Sequence, residues 1–174
     1  MKRPTAVTVF GVLNIVWAGF GFICIPLGAL GMAFSQDQMH EIIKESRVYT
    51  LWTWIYMGIG LIGSGIQLAT GIGLLRLRPW ARTLAVYYSG FSLVIGILGM
   101  ILDTLLFYRP ALEQFSSQQA GPEAVGMFVG IGLGVLISLL ALVYAVALIV
   151  VLTRPRIVAA FEQARVDGTR APEL

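Results

Sequence analysis

Residues 124–152 read AVGMFVGIGLGVLISLLALVYAVALIVVL and contain no charged side chain. The ~30 Å hydrocarbon core of a bilayer needs about 20 apolar residues of α-helix, so this stretch is long enough to cross a membrane. Similar stretches lie at residues 5–34, 51–75 and 83–107. None alternates apolar and polar residues as the strands of a membrane barrel do. The sequence therefore predicts an all-α fold, a four-transmembrane-helix bundle.

The composition agrees with this prediction. Hydrophobic residues make up 57% of the 174 residues and charged residues 12%, which is far more apolar than a typical soluble domain. We expect one membrane domain over residues 1–174, with a tail from residue 153. Because Cys24 is the only cysteine, an intramolecular disulfide and a Cys-rich metal or redox site are both excluded.

Basic residues are distributed unequally between the two sides of the predicted bundle. Three of the twelve Lys and Arg residues, Lys44, Arg47 and Arg109, fall on one side. The other nine are Lys2, Arg3, Arg76, Arg78, Arg82, Arg154, Arg156, Arg165 and Arg170. The positive-inside rule places the richer side, with both termini, in the cytoplasm. The basic pI is thereby explained by topology, and no nucleic-acid partner is predicted.

The first apolar stretch has an alternative interpretation as a signal peptide. It follows Met1-Lys2-Arg3, and Gly31-Met32-Ala33 resembles a cleavage site. A signal core is ~7 to 15 residues long, whereas this stretch is about twice that length, which favours a retained membrane helix. Cleavage would leave three spans with the new amino terminus outside.

The dipeptide Arg-Pro occurs at residues 3–4, 78–79 and 154–155, about 75 residues apart. Residues 3–8 match residues 78–83 at four of six positions. One interpretation is a weak tandem repeat of two αα-hairpins related by an axis along the membrane normal. The other is that Arg-Pro simply begins a helix at the inner interface.

Amphipathic segments are predicted outside the spans. Ser35 can cap a short helix with the apolar stripe Met39, Ile42 and Ile43, and Pro110 can begin another, both on the outer membrane surface. After the fourth span, Pro155 can begin an amphipathic C-terminal helix that ends at Asp167-Gly168. Its apolar side would carry Ile157, Val158, Phe161 and Ala164. A frayed tail is the alternative.

Small residues recur at helical spacing on two spans. The candidate helix-packing residues are Gly126, Gly130, Gly134 and Ser138 in the fourth span and Gly65, Ala69 and Gly73 in the second. Such faces allow close approach of another helix in lipid, where packing drives association. We expect packing within the bundle more than a dimer seam, and both remain open.

Four polar residues form a candidate polar layer near the middle of the membrane: Asn14, Gln67, Ser89 and Tyr144. Each lies ~9 to 15 Å from an inner helix end at 1.5 Å per residue. We expect interhelical hydrogen bonds of about 0.6 kcal/mol each, and the alternative is the lining of a ligand cavity.

Other candidate sites are sparse. Asp103 is the sole carboxylate within a span, which makes it a functional candidate, although it lies close enough to the surface to reach water or Arg109. Pro26 is expected to kink the first helix and open a crevice beside Gly28. His40 has too few neighbouring ligands for a metal site, and no catalytic set converges, so we predict no cofactor and no enzyme.

Residues 3–14, RPTAVTVFGVLN, and residues 73–82, GLLRLRPWAR, resemble small uncharacterised bacterial four-span membrane proteins. This resemblance implies a bacterial inner membrane and carries no known activity, so it assigns no functional residue. We expect an interaction subunit that associates with itself or with a larger membrane complex, with membrane lipids as further partners. The alternative is a small-molecule or lipid-binding transporter or channel component that uses the layer around Asn14 and Gln67.

Overall fold

The computed structural model describes residues 4–34, 47–109 and 122–169. Its helices are α1 (Thr5–Phe34), α2 (Arg47–Leu75), α3 (Pro79–Asp103), α4 (Pro122–Leu152) and α5 (Pro155–Thr169). A π-helical turn, Thr104–Tyr108, extends α3. No strand occurs in these ranges, and the all-α prediction is confirmed.

The long helices α1 to α4 are each long and apolar enough to cross a membrane. Their surfaces carry many exposed apolar side chains, among them Phe20, Ile62, Val94 and Val143, each more than 60% exposed. Such a surface would promote aggregation in water, whereas acyl chains solvate it. The chain is a multi-pass membrane protein.

Three spans begin earlier than their apolar stretches indicated. The helix α2 begins at Arg47, α3 at Pro79 and α4 at Pro122. Polar residues can continue a helix beyond the hydrocarbon core, and a proline fits its first turn because the N–H it lacks has no partner there. The predicted surface helices near Met39 and Pro110 lie outside the described residues.

The four membrane helices pack mainly as sequence neighbours. Contact is most extensive between α1 and α2, and α3 packs on both α2 and α4. The helices α1 and α4 touch over a much shorter length. This is the arrangement of two αα-hairpins side by side, while their origin by duplication stays a prediction.

The core lies at one end of the bundle, which we call the basic end. The basic end comprises the α2–α3 turn, the α4–α5 turn and α5. Phe161 and Ile157 of α5 are buried there. Their cluster also contains Val7, Leu74, Ala81, Ala85, Leu148 and Leu152, so α5 belongs to a core to which all four membrane helices contribute. The predicted amphipathic helix is therefore present and docked on the bundle, and it ends at Thr169, two residues beyond Asp167.

The α2–α3 turn contains an unusual backbone conformation. Leu77 has φ of 51°, a left-handed conformation that usually requires glycine. The Arg78 N–H donates to the Gly73 carbonyl at 2.9 Å, and the Leu77 N–H donates to the Leu74 carbonyl at 3.0 Å, which forms a Schellman-type end to α2. The Leu77 side chain packs against the core, and this contact offsets a conformational cost of about 1 to 2 kcal/mol.

Candidate functional site

A buried hydrogen bond connects the first and fourth membrane helices. The Tyr144 hydroxyl donates to the Asn14 side-chain oxygen at 2.7 Å. Asn14 is only 2% exposed, so the bond is shielded from lipid. Because α1 and α4 touch over a short length, this bond lies at one of their few points of contact.

Thr70 on α2 completes the network. The Asn14 amide nitrogen donates to the Thr70 side-chain oxygen over a long 3.5 Å. The Thr70 hydroxyl in turn donates to backbone carbonyls of its own helix, Ile66 at 2.9 Å and Gln67 at 3.0 Å. Three helices thus share one polar network. Thr70 was not predicted from the sequence, because it lies only five residues from the end of α2, whereas Asn14 lies nine residues from the start of α1.

Two aromatic side chains of α1 flank the Tyr144 ring. Trp17 stacks on it with a centroid distance of 6.2 Å, and Phe10 lies on a tilted plane at 5.9 Å. Phe10, Asn14 and Trp17 are three or four residues apart, so they present one face of α1 to Tyr144. The aromatic contacts therefore orient the hydroxyl toward Asn14.

The other two members of the predicted polar layer do not join this network. Ser89 on α3 is buried, and its backbone carbonyl accepts a hydrogen bond from the Ser92 hydroxyl at 3.0 Å. Gln67 on α2 is half-buried. The structure therefore brings Asn14 and Tyr144 together and adds Thr70, while the side chains of Gln67 and Ser89 take no part in these hydrogen bonds.

The network consists of neutral groups that satisfy one another. Within the described residues, every buried side-chain nitrogen or oxygen has a hydrogen-bond partner. In those same ranges, no three His, Cys, Asp or Glu side chains lie close enough to hold a metal ion. Asn14, Thr70 and Tyr144 are arranged to fix the relative position of three helices in lipid.

The glycine face of α4 is largely uncovered. Among the described residues, none lies within 4 Å of a Cβ atom added at Gly130, and Ser138 is exposed, with its hydroxyl bonded to the Gly134 carbonyl of its own helix at 2.9 Å. A Cβ at Gly134 would lie 3.6 Å from the Tyr108 hydroxyl of α3. The surroundings of Gly126 lie outside what the structure describes. We expected Gly130 to pack against another helix of the bundle, but no described residue packs there.

The three small residues of α2, Gly65, Ala69 and Gly73, differ in how closely other helices approach them. A Cβ at Gly65 would meet nothing within 4 Å, and Ala69 is exposed. Gly73, in contrast, packs closely against Ala81 and Trp80 of α3 at the basic end. Only the last of the three small residues is thus in a close contact between helices.

The closest backbone approach involves two glycines that the sequence analysis did not select. A Cβ at Gly71 would lie 2.9 Å from the Gly11 carbonyl and 2.8 Å from Ile15. A Cβ at Gly11 would lie 3.2 Å from the Gly71 carbonyl. The helices α1 and α2 therefore cross with their backbones nearly in contact, next to Asn14. Gly11, Asn14, Ala18 and Gly21, spaced three or four residues apart, are the sequence signal for this face.

Asp103 lies at the opposite end of the bundle, directly before the π-helical turn of α3. Within the described ranges it forms no ion pair with Arg109. One turn earlier, Gly99 packs against Tyr56, which lies 3.2 Å from a Cβ built there. Pro26, also in this half, lies inside α1, which continues as a helix to Phe34. The expected kink and crevice stay predictions.

An apolar surface groove of about 380 Å³ lies between α3 and α4 in the same half of the bundle. Its walls include Ile97, Met100, Leu139 and Leu142, and Thr104 contributes the only hydroxyl. That hydroxyl already donates to the Met100 carbonyl at 2.6 Å. The groove therefore offers a surface suited to an acyl chain.

The chain matches no protein-family model, no curated protein and no solved structure. The resemblance to bacterial four-span proteins at residues 3–14 and 73–82 therefore stays a prediction.

Proposed function

We propose that this chain is an interaction subunit of a membrane assembly, in which two copies pack through the small-residue face of α4. The excess of arginine at the basic end supports an orientation with both termini in the cytoplasm. The resemblance at residues 3–14 and 73–82 supports a bacterial inner membrane. In this orientation the polar network lies within the membrane, and α5 lies at the cytoplasmic interface.

The observation that carries the proposal is the open space beside Gly130. Elsewhere in the chain, the close approaches at Gly11, Gly71 and Gly73 are each covered by a neighbouring helix. On α4 the same kind of residue recurs every fourth position, yet no residue of the described ranges lies within 4 Å of a Cβ at Gly130. Lipid supplies no hydrophobic driving force between helices, so backbone proximity and packing decide which faces associate.

A second copy of the chain is the occupant that we favour. A two-fold axis places the same face on both partners, so a stripe of small residues on α4 is complementary to itself. The alternative function, a transporter or channel component, requires the polar layer to line a cavity. Asn14 is instead buried and hydrogen-bonded to Tyr144 and Thr70, which favours a structural role for that layer.

The test replaces Gly130 with leucine and uses Gly132→Leu as its matched control. Both positions are exposed, and no residue of the described ranges lies within 4 Å of a Cβ at either, so we expect neither change to affect the isolated monomer. Their side chains point about 200° apart around α4. Overpacking of ~1 to 3 kcal/mol at a seam should weaken the dimer about 5- to 150-fold for Gly130→Leu alone.

Dimerisation can be measured by energy transfer between labelled copies in vesicles over a range of protein-to-lipid ratios. A disulfide between copies provides a second measurement, with Gly130→Cys introduced after Cys24→Ser has removed the only cysteine, which is exposed. A wild-type chain that stays monomeric at every ratio contradicts the proposal. Equal effects of the two leucine substitutions also contradict it.

A further inference from the structure

Three arginines come together at one corner of the basic end. The Arg82 guanidinium donates to the Leu152 carbonyl over 3.5 Å, which joins the first turn of α3 to the last residue of α4. Arg78 immediately precedes α3, one turn before Arg82. Arg154 follows Leu152 by two residues. This contact therefore brings the stretches of chain that carry Arg78, Arg82 and Arg154 to the same α3–α4 corner.

Arg82 lacks a counter-ion in the described parts of the chain. It is half-buried, and its one hydrogen bond there goes to a neutral carbonyl. A guanidinium carries five N–H donors, so most of them remain available. Partial burial of a charge without an opposite charge is unfavourable, and an anion at this corner would relieve it.

A role as a helix cap accounts for Arg82 only in part. The Thr153 hydroxyl bonds the carbonyls of Ile149 and Val150, and the Arg154 N–H bonds that of Val151. Arg82 then satisfies Leu152, the last carbonyl of α4, where a cation is favoured by the helix dipole. Capping of the Leu152 carbonyl by Arg82 does not explain why two further exposed arginines, Arg78 and Arg154, lie next to this contact in the chain.

We propose that Arg78, Arg82 and Arg154 bind the phosphodiester group of an anionic phospholipid. The ends of membrane helices lie at the depth of lipid phosphates, and guanidinium groups bind phosphate oxygens in a bidentate manner. Trp80, partly exposed between Arg78 and Arg82, fits a position at the membrane interface. The exposed side chains of Leu84 and Tyr87, further along α3, would contact the acyl chains.

The test uses the full chain in nanodiscs of phosphatidylcholine, with or without phosphatidylglycerol. Retained lipid is measured by native mass spectrometry, and the midpoint of thermal unfolding is measured in both bilayers. We expect the wild-type chain to retain phosphatidylglycerol preferentially and to unfold at a higher temperature when it is present. Arg82→Gln and Arg154→Gln should each reduce this preference about fivefold.

Arg109→Gln is the matched control, because it removes one exposed guanidinium at the opposite end of the bundle. It should leave the lipid preference unchanged. If Arg82 and Arg154 share one headgroup, the double variant should lose less than the product of the two single effects. Independent, multiplicative losses would overturn the shared site.

Two further outcomes would overturn the proposal. If Arg82→Gln lowers the unfolding midpoint equally in both bilayers and leaves lipid retention intact, Arg82 is a helix cap only. If inorganic phosphate added to pure phosphatidylcholine nanodiscs reproduces the stabilisation, the corner binds a soluble anion instead. These readouts are independent of dimerisation through α4, which is followed by energy transfer in the Gly130 variants.

Discussion

The Tyr144 hydroxyl lies 2.7 Å from the side-chain oxygen of Asn14, and this bond joins the fourth membrane helix to the first. The two residues are 130 positions apart in the chain. Because Asn14 also donates to Thr70 on α2, one amide connects three helices.

The hydrogen bond itself is tested by Tyr144→Phe, which removes only the hydroxyl. We expect the free energy of unfolding in detergent or bicelles to fall by about 0.6 to 1.7 kcal/mol, the range for such bonds in membrane proteins. The matched control is Tyr87→Phe, since Tyr87 is 75% exposed on α3.

A double-mutant cycle with Asn14→Leu isolates the coupling between the two side chains. The leucine variant should be destabilised more than Tyr144→Phe, because it also leaves Thr70 without its donor from α1. Coupling indistinguishable from zero would mean that the bond makes no contribution in the membrane.

The crossing of α1 and α2 predicts that Gly71 tolerates no side chain. In Gly71→Ala the new methyl group would lie 2.9 Å from the Gly11 carbonyl, a backbone atom that cannot move aside by itself. We expect a loss of about 1 to 3 kcal/mol of stability from the separation of the two helices. Chemical unfolding followed by tryptophan fluorescence provides the measurement.

Gly65→Ala on the same helix is the control for the crossing. Nothing lies within 4 Å of a Cβ there, and alanine favours a helix over glycine by about 1 kcal/mol. This variant should be neutral or slightly stabilised. If both substitutions change stability in the same direction and by the same amount, helix propensity and not close packing governs the response.

The docking of α5 depends on Phe161, which is 1% exposed within the core of the basic end. Phe161→Ala should detach α5, because truncation of a buried phenylalanine costs about 3 to 5 kcal/mol. Hydrogen exchange of the backbone amides over residues 155–169 should therefore accelerate, while exchange in α1 to α4 changes little.

Gln163→Ala is the comparison for Phe161, because Gln163 is exposed on the same helix. It should leave exchange in α5 slow. Slow exchange in the Phe161 variant as well would indicate that α5 is held by the lipid surface and not by the protein core.

Sequence reasoning located the right elements but only part of the contacts. It selected Asn14 and Tyr144 from their depth, and the apolar side of α5 from its periodicity, because both signals are local. Thr70 and the crossing of Gly11 with Gly71 were not predicted. Packing within the bundle was the favoured prediction at Gly130, where no described residue lies within 4 Å of an added Cβ. In each case the missing information was the rotation of one helix relative to its neighbours.

Four membrane-crossing helices can be predicted from the sequence alone, because the length of an apolar stretch and the cost of unpaired backbone groups in lipid leave few other solutions. The amphipathic character of α5 can likewise be predicted from the sequence. Only the tertiary structure decided which faces of α1 to α4 meet. In lipid the exposed surface of a helix is as apolar as its buried surface, so hydrophobic periodicity does not mark the inner face. Close approach at glycines and a few polar pairs set that choice, and both depend on residues distant in the chain.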